Sequence, residues 1–212
     1  MTLTTNRDAT TAHSWAEDVK LSITAAIHEA GHAVACVIAG REFDKVSIRR
    51  DVAGWTGSVD PVPGTLVHAH EFMIEALILL AGATAQVEFL ERTTDEPRDD
   101  IIGFVADCSR HDLDQVASLG INQLAAEIHA VGLVRNFWPA IVRLAQAITE
   151  APGMTLSYDE VLDVLGPRLG RAGTRAHLRH FDQAARDYAT GPRLTTACGL
   201  VDEPATDQLL AA

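Results

Sequence analysis

His28, Glu29 and His32 form the pattern H-E-x-x-H inside an apolar stretch that runs from Leu21 to Gly40. In a helix, residues four apart project from the same face, so both imidazoles could bind one metal ion. Glu29 would lie beside the pair, where a carboxylate can accept a proton from a metal-activated water. The pattern therefore predicts a zinc-dependent hydrolase with two ligands and a general base on one helix.

The residues around the motif predict a helix independently of it. Apolar residues recur at spacings of three and four, at Ile23, Ala26, Ile27, Ala30, Val34, Val37 and Ile38. Ser22 is the predicted N-cap and Gly40 the predicted C-terminal stop. A glycine in mid-helix costs about 1 kcal/mol relative to alanine. Gly31 therefore indicates that another backbone approaches the helix closely.

Composition limits the classes of function. The chain has 212 residues, 47% of them hydrophobic, and carries 17 Lys and Arg against 29 Asp and Glu, for a net charge of -12. This acidic balance argues against nucleic acid as a partner. The three cysteines are far apart and form no C-x-x-C pair. This pattern predicts a reducing, cytoplasmic environment.

Two segments bear on membrane insertion. The segment from Met1 to His13 is polar and does not resemble a secretory signal. The longest apolar run, from Phe72 to Leu90, is interrupted by Glu75, Gln86 and Glu88. We interpret it as a buried helix of a protein without a membrane span.

The predicted fold is mainly α, with a small β-hairpin or sheet after the motif helix. Residues 45–50 and 55–59 alternate as strands, and helices are expected at 71–91, from Ser109, at 122–134, 136–150, 157–165 and 174–188. The polar run 92–100 is expected to be a loop. We divide the chain into a flexible N-terminus (1–16), one domain that carries the motif (17–189) and a loose tail (190–212).

A catalytic zinc requires three protein ligands and one open position. The next long helix offers Glu71, Glu75 and Glu88, and an aspartate from later in the chain is the other possibility. Asp112 or Asp114 would come from the helix after Ser109, although a carboxylate in a first helical turn is also favoured by the helix dipole. A second pair, His68 and His70, could bind metal but is more typical of surface histidines.

Several segments resemble the FtsH-type peptidases, the zinc proteases of membrane AAA machines. Residues 26–35 resemble that family's motif helix, residues 46–48 and 54–57 its strand and glycine turn, 80–86 its small-residue helix, and 111–113 its Asn-Asp-Leu stretch. Residues 136–165 are similar to its later helical part. The resemblance implies zinc held by His28, His32 and Asp112, with Glu29 as the base.

The chain departs from this family in three ways. Gln86 stands where the family has Glu, and Ala81 where it has Gly. The sequence also has no G-x-x-x-x-G-K-[ST] loop, so we expect no ATP binding. The expected substrates are therefore peptides or unfolded proteins, and a homo-oligomer is possible. The alternatives are a catalytically inactive zinc-binding scaffold and a hydrolase of small non-peptide substrates.

Overall fold

The computed structural model describes residues 7–52, 54–61, 69–166 and 169. These residues form helices and strands in the order α1 Arg7–Ala39, β1 Phe43–Arg50, β2 Trp55–Pro61, α2 Ala69–Thr93, α3 Arg98–Cys108, α4 Arg110–Ser118, α5 Gln123–Glu150, a 3-10 turn Pro152–Met154, β3 Thr155–Ser157 and α6 Tyr158–Leu165. The fold is mainly helical with a small antiparallel sheet, which confirms the predicted fold class.

The C-terminal half of α1 is the centre of the core. It packs against α2, α5 and the first two strands. Ile27 and Val34 on α1 meet Ile141 and Leu144 on α5 in one cluster of fully buried side chains. The apolar stripes that predicted these helices are thus the faces that they bury against each other.

The sheet has the order β2-β1-β3, with both pairings antiparallel. Val46 of β1 lies between Val59 of β2 and Leu156 of β3, and Ile48 lies opposite Gly57. The predicted hairpin is therefore confirmed, and β3 adds a short strand that the sequence analysis did not identify. Within the described part of the chain, the second edge of β2 has no neighbouring strand.

Asp18 fixes the hairpin to α1. Its two carboxylate oxygens accept hydrogen bonds from the indole of Trp55 at 3.0 Å and from the guanidinium of Arg50 at 3.1 Å. The two donors come from the two strands, next to the turn that joins them. The hairpin is therefore held along the helix that carries the H-E-x-x-H motif.

Gly31 lies where the backbones of α1 and α2 approach each other closely. A Cβ atom there would lie 2.6 Å from the carbonyl oxygen of Ala81 and 3.0 Å from Cβ of Ala85. The glycine in mid-helix that the sequence analysis singled out thus lets the two backbones come together.

Several predicted boundaries differ from the structure. The motif helix extends back to Arg7, through the segment expected to be flexible, so Ser22 is not its N-cap and instead bonds to the carbonyl of Val19. Part of the expected loop 92–100 belongs to α3, whose first turn contains Asp99 and Asp100. The two predicted helices of 122–150 form one helix, since packing of both halves outweighs the backbone bond lost at Pro139.

The caps give a mixed outcome. Asn122 and Ser157 cap α5 and α6, the latter in a full capping box with Glu160. Ser109 precedes α4 as expected, but its side chain makes no capping bond and is buried without a described partner. The predicted helix 174–188 and tail 190–212 lie outside the described residues, and the proposed domain boundaries stay predictions.

We predict that Gly31→Ala lowers the free energy of unfolding by about 1–3 kcal/mol, because the new methyl group would overlap the Ala81 carbonyl. The matched control is Gly132→Ala in α5, where a new Cβ meets no atom within 4 Å. That substitution should leave stability unchanged or raise it by up to about 1 kcal/mol. Denaturant unfolding would measure both, and equal stability of the two variants would contradict the close approach.

Candidate metal centre

His28 and His32 are held from behind by acceptors on α2. Nδ1 of His32 donates to the backbone carbonyl of Ile78 at 2.7 Å, and Nδ1 of His28 donates to Oε1 of Gln86 at 3.0 Å. With Nδ1 of each ring engaged as a donor, Nε2 is left as the nitrogen with a free lone pair. The two Nε2 atoms face each other at 2.9 Å.

Asp112 enters the same point from the first turn of α4. Its Oδ2 lies 3.2 Å from Nε2 of His28 and 3.4 Å from Nε2 of His32. Among the described residues, these three side chains form the group that could hold a metal ion.

The spacing of these atoms suits a small tetrahedral cation. Ligand atoms about 2.0–2.1 Å from a tetrahedral zinc lie roughly 3.3–3.4 Å from one another. The three contacts of 2.9, 3.2 and 3.4 Å are close to that separation. The side chains of His28, His32 and Asp112 are 14%, 10% and 19% exposed, so the site is enclosed but reachable from solvent.

The carboxylate of Asp112 is ionised at neutral pH. Partial burial alone would raise its pKa. Without a metal, protonated Nε2 atoms of His28 and His32 can donate to this carboxylate, and these hydrogen bonds and charges outweigh burial and hold the pKa below its usual range. Metal binding would replace those protons and leave the Nε2 lone pairs for the ion. A carboxylate must be deprotonated to bind a metal, so this group is in the form that coordination requires.

Glu29 is buried beneath β2. Its side chain is 6% exposed, and a Cβ atom on Gly57 would lie only 2.3 Å from its Cγ and 2.6 Å from its Oε1. The backbone of β2 therefore passes directly over the carboxyl group that the sequence analysis assigned as a general base. Any larger residue at position 57 would have to displace it.

Gly82 leaves space for the ring of His32, as Gly57 does for the side chain of Glu29. A Cβ atom on Gly82 of α2 would lie 2.3 Å from Nε2 of His32. The small-residue stretch of α2 thus lets this helix reach the ring nitrogens, and a side chain at this position would cover the atom available to a metal.

The other carboxylates considered for the third position, Glu71, Glu75, Glu88 and Asp114, are not part of the cluster. Glu88 pairs with Arg92 at 2.6 Å and lies 3.6 Å from Arg135. Asp114 is exposed on α4, and Glu75 is not part of the cluster. The structure brings Asp112 to the two histidines. His68 and His70 lie outside the residues whose side chains are described.

Two contributors to the site were not identified from sequence. Gln86 was considered as an interruption of the apolar run and as the loss of a carboxylate, yet its amide oxygen supplies the acceptor that orients His28. The sequence signal for Gln86 was its position as a polar residue in a buried helix of small residues. No sequence signal could identify the carbonyl of Ile78, because every residue has a backbone carbonyl.

Comparison with known proteins gives one family match. The family described as Peptidase M50B-like matches residues 12–88, a little over a third of the chain. The matched segment contains His28, Glu29, His32 and Gln86 and ends before Asp112. No curated protein matches the chain. The match supports a metallopeptidase in general.

This match corrects three expectations from the sequence. M50 peptidases are membrane proteases, so the FtsH-type assignment, the cytoplasmic location and the absence of a membrane span are contradicted. Among the described residues, Glu17–Ala39 and Glu71–Thr93 are long and apolar enough to cross a membrane. In this fold, the most apolar 18-residue stretch is 72% buried in the first of these helices and 50% buried in the second.

The prediction of no membrane span failed because it took the polar residues that interrupt the apolar run of α2 as a reason to exclude a span. Gln86 instead bonds to His28, and Glu88 is neutralised by Arg92. Polar groups that are satisfied inside a fold do not exclude a helix from an apolar environment. A polar residue in an apolar run therefore argues against a membrane-spanning helix only when that residue has no partner inside the protein.

We predict that Gln86→Met lowers the affinity for zinc about 10–100-fold, because His28 loses the acceptor that fixes its ring. Gln86→Glu, which keeps an acceptor oxygen, should stay within a few-fold of the original protein. Competition with a chromophoric chelator would measure both affinities, with circular dichroism as the check on folding. Undiminished affinity in the Met variant would show that Gln86 does not orient His28.

Proposed function

We propose that this protein is a zinc metallopeptidase in which His28, His32 and Asp112 bind the metal and Glu29 is the general base. The observation that carries the proposal is the convergence of two Nε2 atoms and one carboxylate oxygen within 3.4 Å. Three ligands leave one position of a tetrahedral ion open, as catalytic zinc sites require. The match to a peptidase family supports the same class of reaction.

Zinc at this site would supply Lewis acidity, which lowers the pKa of water and polarises a carbonyl group. The protein's own part is the movement of a proton. A carboxylate oxygen of Glu29 accepts a proton from the attacking water and then donates it to the nitrogen of the leaving amine. Burial under Gly57 confines that carboxyl group to the side of β2, where a substrate carbonyl would have to lie.

The position of β2 supports a peptide as the substrate. It is an edge strand within the described sheet, and it passes over Glu29. An extended peptide can bind to such an edge through main-chain hydrogen bonds, which place its carbonyl groups at regular intervals. A strand edge next to the general base therefore favours hydrolysis of an extended chain over hydrolysis of a compact small molecule.

The test is the loss of turnover in Glu29→Gln. General-base catalysis contributes about 10²–10⁴ to a rate, so cleavage of an unfolded protein should fall at least 100-fold while zinc content stays the same. Glu75→Gln is the matched control, because it removes a carboxyl group from α2 outside the cluster. It should retain full activity.

Two results would contradict the proposal. Equal cleavage by the Glu29→Gln variant would remove Glu29 as the base. An unaltered protein that binds zinc but cleaves none of a panel of unfolded proteins and peptides would instead be a zinc-binding scaffold without catalytic activity.

A further inference from the structure

A groove between α1, α2 and α3 has none of the candidate metal ligands in its lining. Its volume is about 490 Å³, within the range of roughly 300–1,000 Å³ that ligand pockets occupy. Leu90 and Ile101 form a buried floor, and Leu21 and Phe104 line it with close to half of their surfaces exposed. The interior therefore offers apolar surface to a large side chain.

The rim of this groove is acidic. Glu17, Glu96 and Asp100 line it against a single cation, Lys20, and all four side chains are exposed. The lining threonine hydroxyls donate to backbone carbonyls four residues earlier, Thr24 to that of Lys20 and Thr94 to that of Leu90. Recognition in the groove would thus depend on apolar contact and negative charge.

Helix geometry places this groove close to the metal centre. Thr24 precedes His28 by four residues on α1, a rise of about 6 Å along the same face. Leu90 follows Gln86 by four residues on α2, and Gln86 contacts His28. The groove therefore begins about one helical turn from the ligand His28, on the two helices that form the site.

We propose that this groove binds a basic segment of the peptide substrate that carries a large apolar side chain. The proposal rests on the proposed peptidase function and assigns its substrate preference. The apolar side chain occupies the space between Leu90, Ile101 and Phe104, and flanking lysine or arginine side chains meet the carboxylates of the rim. Charge complementarity favours this occupant, since basic side chains are attracted to the rim and acidic ones repelled.

The test measures binding without requiring turnover. Zinc-loaded Glu29→Gln protein is titrated into two fluorescent peptides, one with a phenylalanine between two arginines and one with glutamates in place of the arginines. Anisotropy should show at least about tenfold tighter binding of the basic peptide, and this preference should shrink at high salt.

Charge reversal provides the decisive comparison. The double variant Glu96→Lys, Asp100→Lys should reduce the preference to about twofold or invert it, whereas Asp99→Lys, next to the groove but not lining it, should preserve it. Phe104→Ala should weaken binding of both peptides. Equal binding of the two peptides, or an equal effect of Asp99→Lys, would overturn the proposal. Because no cleavage is measured, failure here is distinct from an inactive metal centre.

Discussion

The candidate metal centre depends on two hydrogen bonds that run from α1 to α2, behind the histidine rings. The carbonyl of Ile78 and the amide oxygen of Gln86 hold Nδ1 of each imidazole. This leaves Nε2 of each ring as the nitrogen available to a metal, and the two Nε2 atoms face each other at 2.9 Å, next to a carboxylate oxygen of Asp112. Asp112 reaches that point because α4 packs against α2, so the helix that orients the histidines also positions the carboxylate.

These contacts require the backbones to lie unusually close together, and glycines make that possible. Gly31 lets α1 approach α2, Gly82 leaves space for the ring of His32, and Gly57 lets β2 cross over Glu29. Each position excludes a side chain for a different reason, but all serve one compact arrangement. Gln86 and Glu88 of α2 have partners within this arrangement, so these polar residues are compatible with a helix that is apolar enough to cross a membrane.

Residue spacing in the sequence was enough to predict local secondary structure. It was not enough to predict features that depend on contacts between residues far apart in the chain. The motif helix, the hairpin and the fold class followed from spacing, and the cost of Gly31 indicated a close backbone contact. From residue patterns alone Asp112 was one of several carboxylates, and only the resemblance to FtsH-type peptidases singled it out. The structure brings it next to His28, 84 positions away in the chain. The continuity of α5 through Pro139 was missed, because it depends on how both halves of the helix pack. The family assignment was wrong, because it rested on short resembling segments.

The most direct test is metal analysis of purified Asp112→Ala protein beside the unaltered chain and an Asp114→Ala control. The control removes a carboxylate from the same helix at an exposed position. The unaltered chain and Asp114→Ala should each hold zinc at one ion per chain, and Asp112→Ala should lose it while its helical circular dichroism stays unchanged. Stoichiometric zinc in Asp112→Ala would contradict the ligand set on which the mechanism depends.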